Sequence, residues 1–173
     1  MQVFYALIAI LLLALLSLTV QRTTQRLDAR MHVNEVVTQA SGVATSIVEA
    51  VGVRPFDSKT DTTKVTAFPA VTSENQLTAA VNFGGCTSFL LCEDIDDFDG
   101  LVITRNRDGF EFTATITVSY VNPDNPALAS GSNTYAKEVL VEITNPFLFV
   151  GSRSNLITVP FRRVFTYQKT TSI

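Results

Sequence analysis

From Val3 to Val20 nearly every position is apolar, and Met1 to Val20 carries no charge, glycine or proline. A run of that length, apolar on every face, can cross a bilayer core as a helix or sit at the centre of a helix bundle. Beyond it the pattern turns amphipathic without breaking. Leu27, Met31, Val33, Val36, Val37, Ala40, Val43, Ala44, Ile47, Val48 and Val51 recur at three- and four-residue intervals, which makes one apolar stripe on a continuing helix. Arg26, Asp28, Arg30, Asn34, Glu35, Gln39, Ser46 and Glu49 fall mostly off that stripe. Gly52 followed by Pro55 is the expected order of a helix stop, glycine at the cap and proline just beyond. The pattern predicts one helix over about residues 1–53, roughly 80 Å long at about 1.5 Å per residue.

After a polar stretch from Phe56 to Thr63 the periodicity becomes that of strands. Lys64 to Val71, Gln76 to Phe83, Leu101 to Arg105, Gly109 to Val121, Tyr135 to Thr144 and Leu156 to Tyr167 are rich in Val, Ile, Thr, Phe and Tyr. Phe110, Phe112, Ala114, Ile116 and Val118 alternate with Glu111, Thr113, Thr115, Thr117 and Ser119, so one face is apolar and the other polar. Val139, Val141 and Ile143 form a matching apolar face. Arg105 to Gly109 predicts a hairpin turn, and Asn122 to Ser132, with Pro123, Pro126 and Gly131, a longer loop. The expected fold class is α+β: a long N-terminal helix (1–53, the first 20 residues hydrophobic) followed by an antiparallel β-sheet head (54–173) packed on it. The stripe buries against that head or against neighbouring copies, and Ala40, Ser41, Gly42 and Ala44 are small enough for helices to approach closely.

Formal net charge is −3 and the sequence pI about 5.1, so no basic field recommends nucleic acid as a partner. Cys86 and Cys92 match neither C-x-x-C nor a zinc pattern. A short-loop disulfide is expected if the head faces an oxidising compartment, and two buried thiols if it does not. His32, the single histidine, falls in the rod just past the apolar run, an exposed or interface position rather than a general base. With no glycine-rich phosphate loop, nucleophile elbow or zinc motif, neither an enzyme nor a small-molecule substrate is expected.

Glu93, Asp94, Asp96, Asp97 and Asp99 crowd the segment after Cys92. Asp94, Asp96, Asp97 and Asp99 are candidate oxygen ligands for calcium, although Phe98 breaks the EF-hand register. A solvated acidic loop pairing with Arg105 or Arg107 is the other reading, with Ile95 and Phe98 tucked inward; no further cofactor is implied. Phe147 to Val150 places an apolar run in a loop, either a subunit contact or a segment buried under the sheet.

Residues 1–20 admit three uses: a cleaved signal, a buried helix, or a retained membrane or filament-core helix. A signal would carry basic residues ahead of the run and an A-x-A-like site after it; Met1 and Gln2 precede the run and no such site follows Leu16. Apolar character on all faces argues against an ordinary core helix. Retention is expected. Arg22, Arg26 and Arg30 would hold their side in the cytoplasm by the positive-inside rule, whereas a disulfide needs the opposite. A basic leader removed ahead of Met1 reconciles the two; Met1 as initiator leaves the conflict standing.

The apolar segment Met1 to Val20, its amphipathic continuation to about Val53, and a β head with one close cysteine pair together resemble the type IV pilin and pseudopilin superfamily. That resemblance implies a leader removed on the cytoplasmic side and helices bundled into a filament core with β heads outside. It implies an assembly surface on the first helix, carried here by Val3, Tyr5, Leu7, Leu11, Leu12, Leu15, Leu16 and Val20. Tyr5 stands where that family typically has glutamate, and Arg22 where proline is usual, so the likeness is to a divergent or minor member. The expected function is a structural subunit of an extracellular, pilus-like helical filament on the cell surface. Its partner is then itself, and it is anchored in the inner membrane before assembly. The alternatives are a single-pass membrane protein whose β head binds a partner or ligand, and a pseudopilin of a secretion system.

Overall fold

The computed structural model describes residues 2–61, 71–148 and 157–167; helix side chains at 2, 3, 6, 7, 9, 26–30 and 32 lie outside that description. The chain is α+β, an N-terminal helix followed by a five-stranded antiparallel sheet. Helix α1 spans Gln2–Gly52. Its hydroxyl residues do not compete with the helix, because their side chains bond back into it. Thr19, Thr23, Thr38 and Ser41 donate to the carbonyls of Leu16, Thr19, Asn34 and Val37 at 2.8–3.0 Å. Gly52 is the last residue of the helix, but its glycine answers to a packing contact. It is not among the left-handed glycines; a Cβ there would stand 2.7 Å from the Phe165 ring. Close approach of the sheet, rather than a left-handed cap, demands glycine.

The strands are β1 (Val102–Arg107), β2 (Phe110–Asn122), β3 (Asn125–Ala129), β4 (Ala136–Thr144) and β5 (Val159–Thr166). Their order is β1-β2-β4-β5, with β3 paired to the far end of β2. The β1–β2 hairpin closes at Arg107 opposite Phe110, and Asp108 and Gly109 between them take φ values of 49° and 83°. Two successive left-handed residues are what the twist of a tight hairpin requires, and Asp-Gly tolerates them. β4 pairs with β2 from Thr113–Thr144 to Tyr120–Lys137 and with β5 from Ala136–Thr166 to Ile143–Val159.

The alternation read from the sequence decides the core. Phe112, Ala114, Ile116 and Val118 of β2, with Val139, Val141 and Ile143 of β4, are buried against Val36, Ala40, Val43, Ala44, Ile47, Val48 and Val51 of α1. Ala40 and Ala44, expected to let helices approach one another, are thus spent within the chain, and Gly42 lies under the Arg107 guanidinium. A smaller apolar cluster gathers Phe56, Val71, Leu77 and Tyr120.

Two expectations about secondary structure change. Gln76 to Phe83 is not a strand: it passes through 3-10 turns at Glu74–Gln76 and Ala80–Asn82. The Gln76 side chain accepts from the Thr72 and Ser73 amides, which curls the chain before an extended run can form. The loop at Asn122 to Ser132 contains β3, because Asn122 accepts from the Asp124 amide at 2.9 Å and turns the chain back on β2. Lys64 to Val71 lies outside the described residues except for Val71, which is buried and not in a strand. Finally, among the described residues no helix is long and apolar enough to cross a membrane. The span expected over residues 1–20 is therefore not found there, and several of its side chains lie outside the description.

Candidate functional site

Two features stand out, one exposed and one buried. The first is the N-terminal part of α1. Phe4, Tyr5, Ile8, Ile10, Leu11, Leu12, Leu13, Leu15, Leu16, Leu18 and Val20 are all exposed, whereas among the described residues the helix side chains buried in the core begin at Val36. Of the residues expected to carry assembly, Tyr5, Leu11, Leu12, Leu15, Leu16 and Val20 are exposed together; the side chains of Val3 and Leu7 lie outside the description. With Thr19, Thr23 and Thr24 hydroxyls bonded to helix carbonyls, this surface presents few unsatisfied polar atoms.

The second lies where the helix exit, the acidic loop and β4 meet. Asp57 caps the 3-10 turn Ser58–Thr60; its Oδ1 accepts from the Lys59 amide at 3.0 Å and its Oδ2 from the Thr78 amide at 2.7 Å. Asp94 Oδ2 accepts from the Ser58 amide at 2.6 Å, and Asp94 Oδ1 from the Asp97 amide at 3.2 Å. Asp96 opens the 3-10 turn Asp96–Phe98, whose Phe98 is fully buried and, with Ile95, pins the loop inward as expected. Facing the three carboxylates is Lys137, 0 % exposed. Its Nζ donates to Asp96 Oδ1 and, at 2.7 Å, to the Phe56 carbonyl, and lies 3.7 Å from Asp57 Oδ2. The rings of Phe56, Tyr120 and Phe83 surround it at 4.2, 5.2 and 5.4 Å, a desolvated cation–π cage.

Three carboxylates about one ammonium, out of water, separate in their titration. Burial works to raise Asp57, but the amides of Thr78 and Lys59 and the Lys137 charge outweigh it, leaving its pKa lowered. Asp94 is raised by burial and then by the Asp97 charge, with the Asp97 and Ser58 amides opposing. Burial pushes Asp96 up to about 7 despite Lys137, and the charges of Asp94 and Asp57 add to the rise. Burial raises Tyr120 as well, with the same three carboxylates contributing.

The expected calcium quartet does not converge. Among the described residues, the three carboxylates whose oxygens lie within 4.8 Å of one another are Asp57, Asp94 and Asp96. Asp97 Oδ2 instead accepts from the Glu93 amide at 2.7 Å, and Asp99 Oδ1 from the Val118 amide at 2.8 Å. Calcium takes about six to eight oxygens; of the converging three, Asp57 and Asp94 accept from backbone amides and Asp96 Oδ1 accepts from the Lys137 ammonium, the cation this cluster holds. Asp57 and Lys137 escaped the sequence reading. Lys137 had a signal: two residues before Val139 on β4, it continues inward the face of Val139, Val141 and Ile143. A lysine in phase with a buried face asks for a buried acid.

Cys86 and Cys92 form a disulfide with Cα atoms 5.3 Å apart, and Cys92 is buried in the main core. Leu148 is buried while Phe147 is 55 % exposed and meets Phe110 edge-on, so the apolar run at Phe147 to Val150 divides between core and surface over its described half. No family model matches this chain, and neither does any curated protein or solved structure.

Proposed function

We propose that this protein is a structural subunit of a helical, pilus-like filament, polymerising through the N-terminal part of α1 with the sheet outside. The observation that carries the reading is the contrast along one helix. From Val36 its stripe is consumed by the sheet, while from Phe4 to Val20 it exposes large apolar side chains on all sides. An apolar patch of that extent on a monomer is unfavourable in water and marks a contact. An all-round apolar helix is satisfied by several identical helices around it, and a non-closing operator then builds a fibre. The Cys86–Cys92 disulfide fits an oxidising location such as the cell surface, and the resemblance to pilin-like proteins noted above agrees.

The test is to shear surface material from producing cells and from a deletion strain, and to image both. Fibres that disappear on deletion, with a density core fitting bundled α1 helices, support the proposal. Protein recovered wholly in the membrane fraction, without fibres, overturns it and favours an anchored β domain with a separate partner.

A further inference from the structure

We propose that Lys137 and Asp96 condense into an intramolecular amide, cross-linking β4 to the 3-10 turn Asp96–Phe98. The geometry assembles every group the reaction uses. The nucleophile and the acyl group are in contact, Nζ on Asp96 Oδ1, and both are buried. Two groups held in place by a folded core react as if at very high concentration, on the order of 10⁵ M or more when well oriented. A second acid, Asp57, stands 3.7 Å from Nζ with both its oxygens anchored by backbone amides, so it is positioned to relay protons. The rings of Phe56, Tyr120 and Phe83 pack around the pair and exclude water, which protects the product from hydrolysis.

The steps balance without any co-reactant. Proton transfer from the Lys137 ammonium to Asp96 gives an amine and a carboxylic acid. The Nζ lone pair attacks Cγ of Asp96. Asp57 takes a proton from the nitrogen and returns it to the departing hydroxyl; the Cγ–O bond breaks, water leaves, and the Cγ–Nζ amide remains. No electron is gained or lost.

Two details favour the product over a permanent ion pair. Asp96 Oδ2 is buried with no hydrogen-bond partner, an expensive arrangement for a carboxylate oxygen, and condensation removes one of the two oxygens. The amide keeps one N–H, for which the Phe56 carbonyl is already in place.

The experiment is the intact mass of the purified full chain, unfolded and with its disulfide reduced. The expected result is a mass lower by one water than the sequence requires, with a proteolytic fragment joining the Asp96 and Lys137 peptides. Lys137→Arg and Asp96→Ala should each restore the full mass. Asp57→Asn should restore it in a chain whose circular dichroism remains that of the folded protein. A wild-type chain at full mass overturns the proposal. So does a water loss that persists in Lys137→Arg, which would locate it elsewhere, for example as a succinimide at Asp99-Gly100 or Asp108-Gly109. Loss persisting in Asp57→Asn overturns the proton-relay role of Asp57.

Discussion

Replacing Leu11, Leu12, Leu15 and Leu16 together by alanine is the most direct probe of α1 as an assembly surface. The four side chains are 62, 55, 53 and 61 % exposed in the single chain, so the proposed polymerisation can remove roughly six-tenths of each from water. Leucine to alanine deletes about three carbons, worth roughly 0.8 kcal/mol apiece when fully buried. Scaled by exposure, each substitution costs about 1.4 kcal/mol of assembly, and the four together about 5–6 kcal/mol. At about 1.4 kcal/mol per tenfold, the critical concentration for fibres should rise on the order of ten-thousand-fold. Alanine is at least as good a helix former as leucine, so α1 itself survives. None of the four belongs to the core that joins α1 to the sheet, so the thermal transition of the sheet should not move. The assay is pelleting of refolded protein over a concentration series, with circular dichroism melts alongside. Fibres forming at the wild-type concentration would refute the reasoning; so would a lowered melting temperature, which would mean these leucines support the fold.

Three further outcomes follow from the interior. Ile47→Ala empties a position buried between α1 and the sheet and should destabilise the protein by about 2–5 kcal/mol in urea titrations. Asp99→Ala leaves the Val118 amide without its acceptor and should cost about 1–3 kcal/mol, with faster hydrogen exchange at Val118. In Lys137→Arg, where Asp96 stays a free acid and a cation is kept, stability should depend on pH through Asp96. Burial raises Asp96 above its ordinary value of 3.8; with that direction kept in the variant, its contribution is fully present below about 3.8 and is lost as pH rises through the raised folded-state value. Urea midpoints of that variant should accordingly fall between pH 5 and pH 8; a rise across that window would contradict the assignment. Asp57, lowered in the folded state, acts oppositely: its contribution is present above the unfolded value and disappears as acid titrates it, so the variant should also weaken at strongly acidic pH.

How much of this was legible beforehand depends on whether local pattern or distant contact decided each element. β2 and β4 carry strict alternation over many residues, and the Asp-Gly turn has the backbone freedom it needs, so the buried faces and the hairpin turn could be read directly. Gln76 to Phe83 has strand-like composition, but the Gln76 side chain captures the Thr72 and Ser73 amides and settles the matter within four residues. β3 is short, fully exposed and contains proline, and it exists because β2 extends far enough to be paired. In the acidic loop the inward turn of Ile95 and Phe98 was legible from their apolarity. The fate of the carboxylates was not: Asp97 and Asp99 serve backbone amides, while Asp94 and Asp96 answer to Asp57 and Lys137, residues far away along the chain. Composition shows a crowd of acids; only tertiary placement says which of them share a cation.

The meeting of those segments also bears on the order in which the protein can fold. Lys137 contacts the Phe56 carbonyl and Asp96 across sequence separations of 81 and 41 residues. A chain with only one or two of the three segments docked would carry an unpaired charge in a dry place, at a cost of several kcal/mol. Partly assembled forms are therefore penalised, and the end of α1, the disulfide loop and β4 should lock in a single late, cooperative step. Contacts of such long range are entropically slow to close, so folding of this chain should be limited by that closure rather than by helix or hairpin formation. Folding that closes this way carries its own checkpoint, since a half-folded chain is also one whose charges lack their partners.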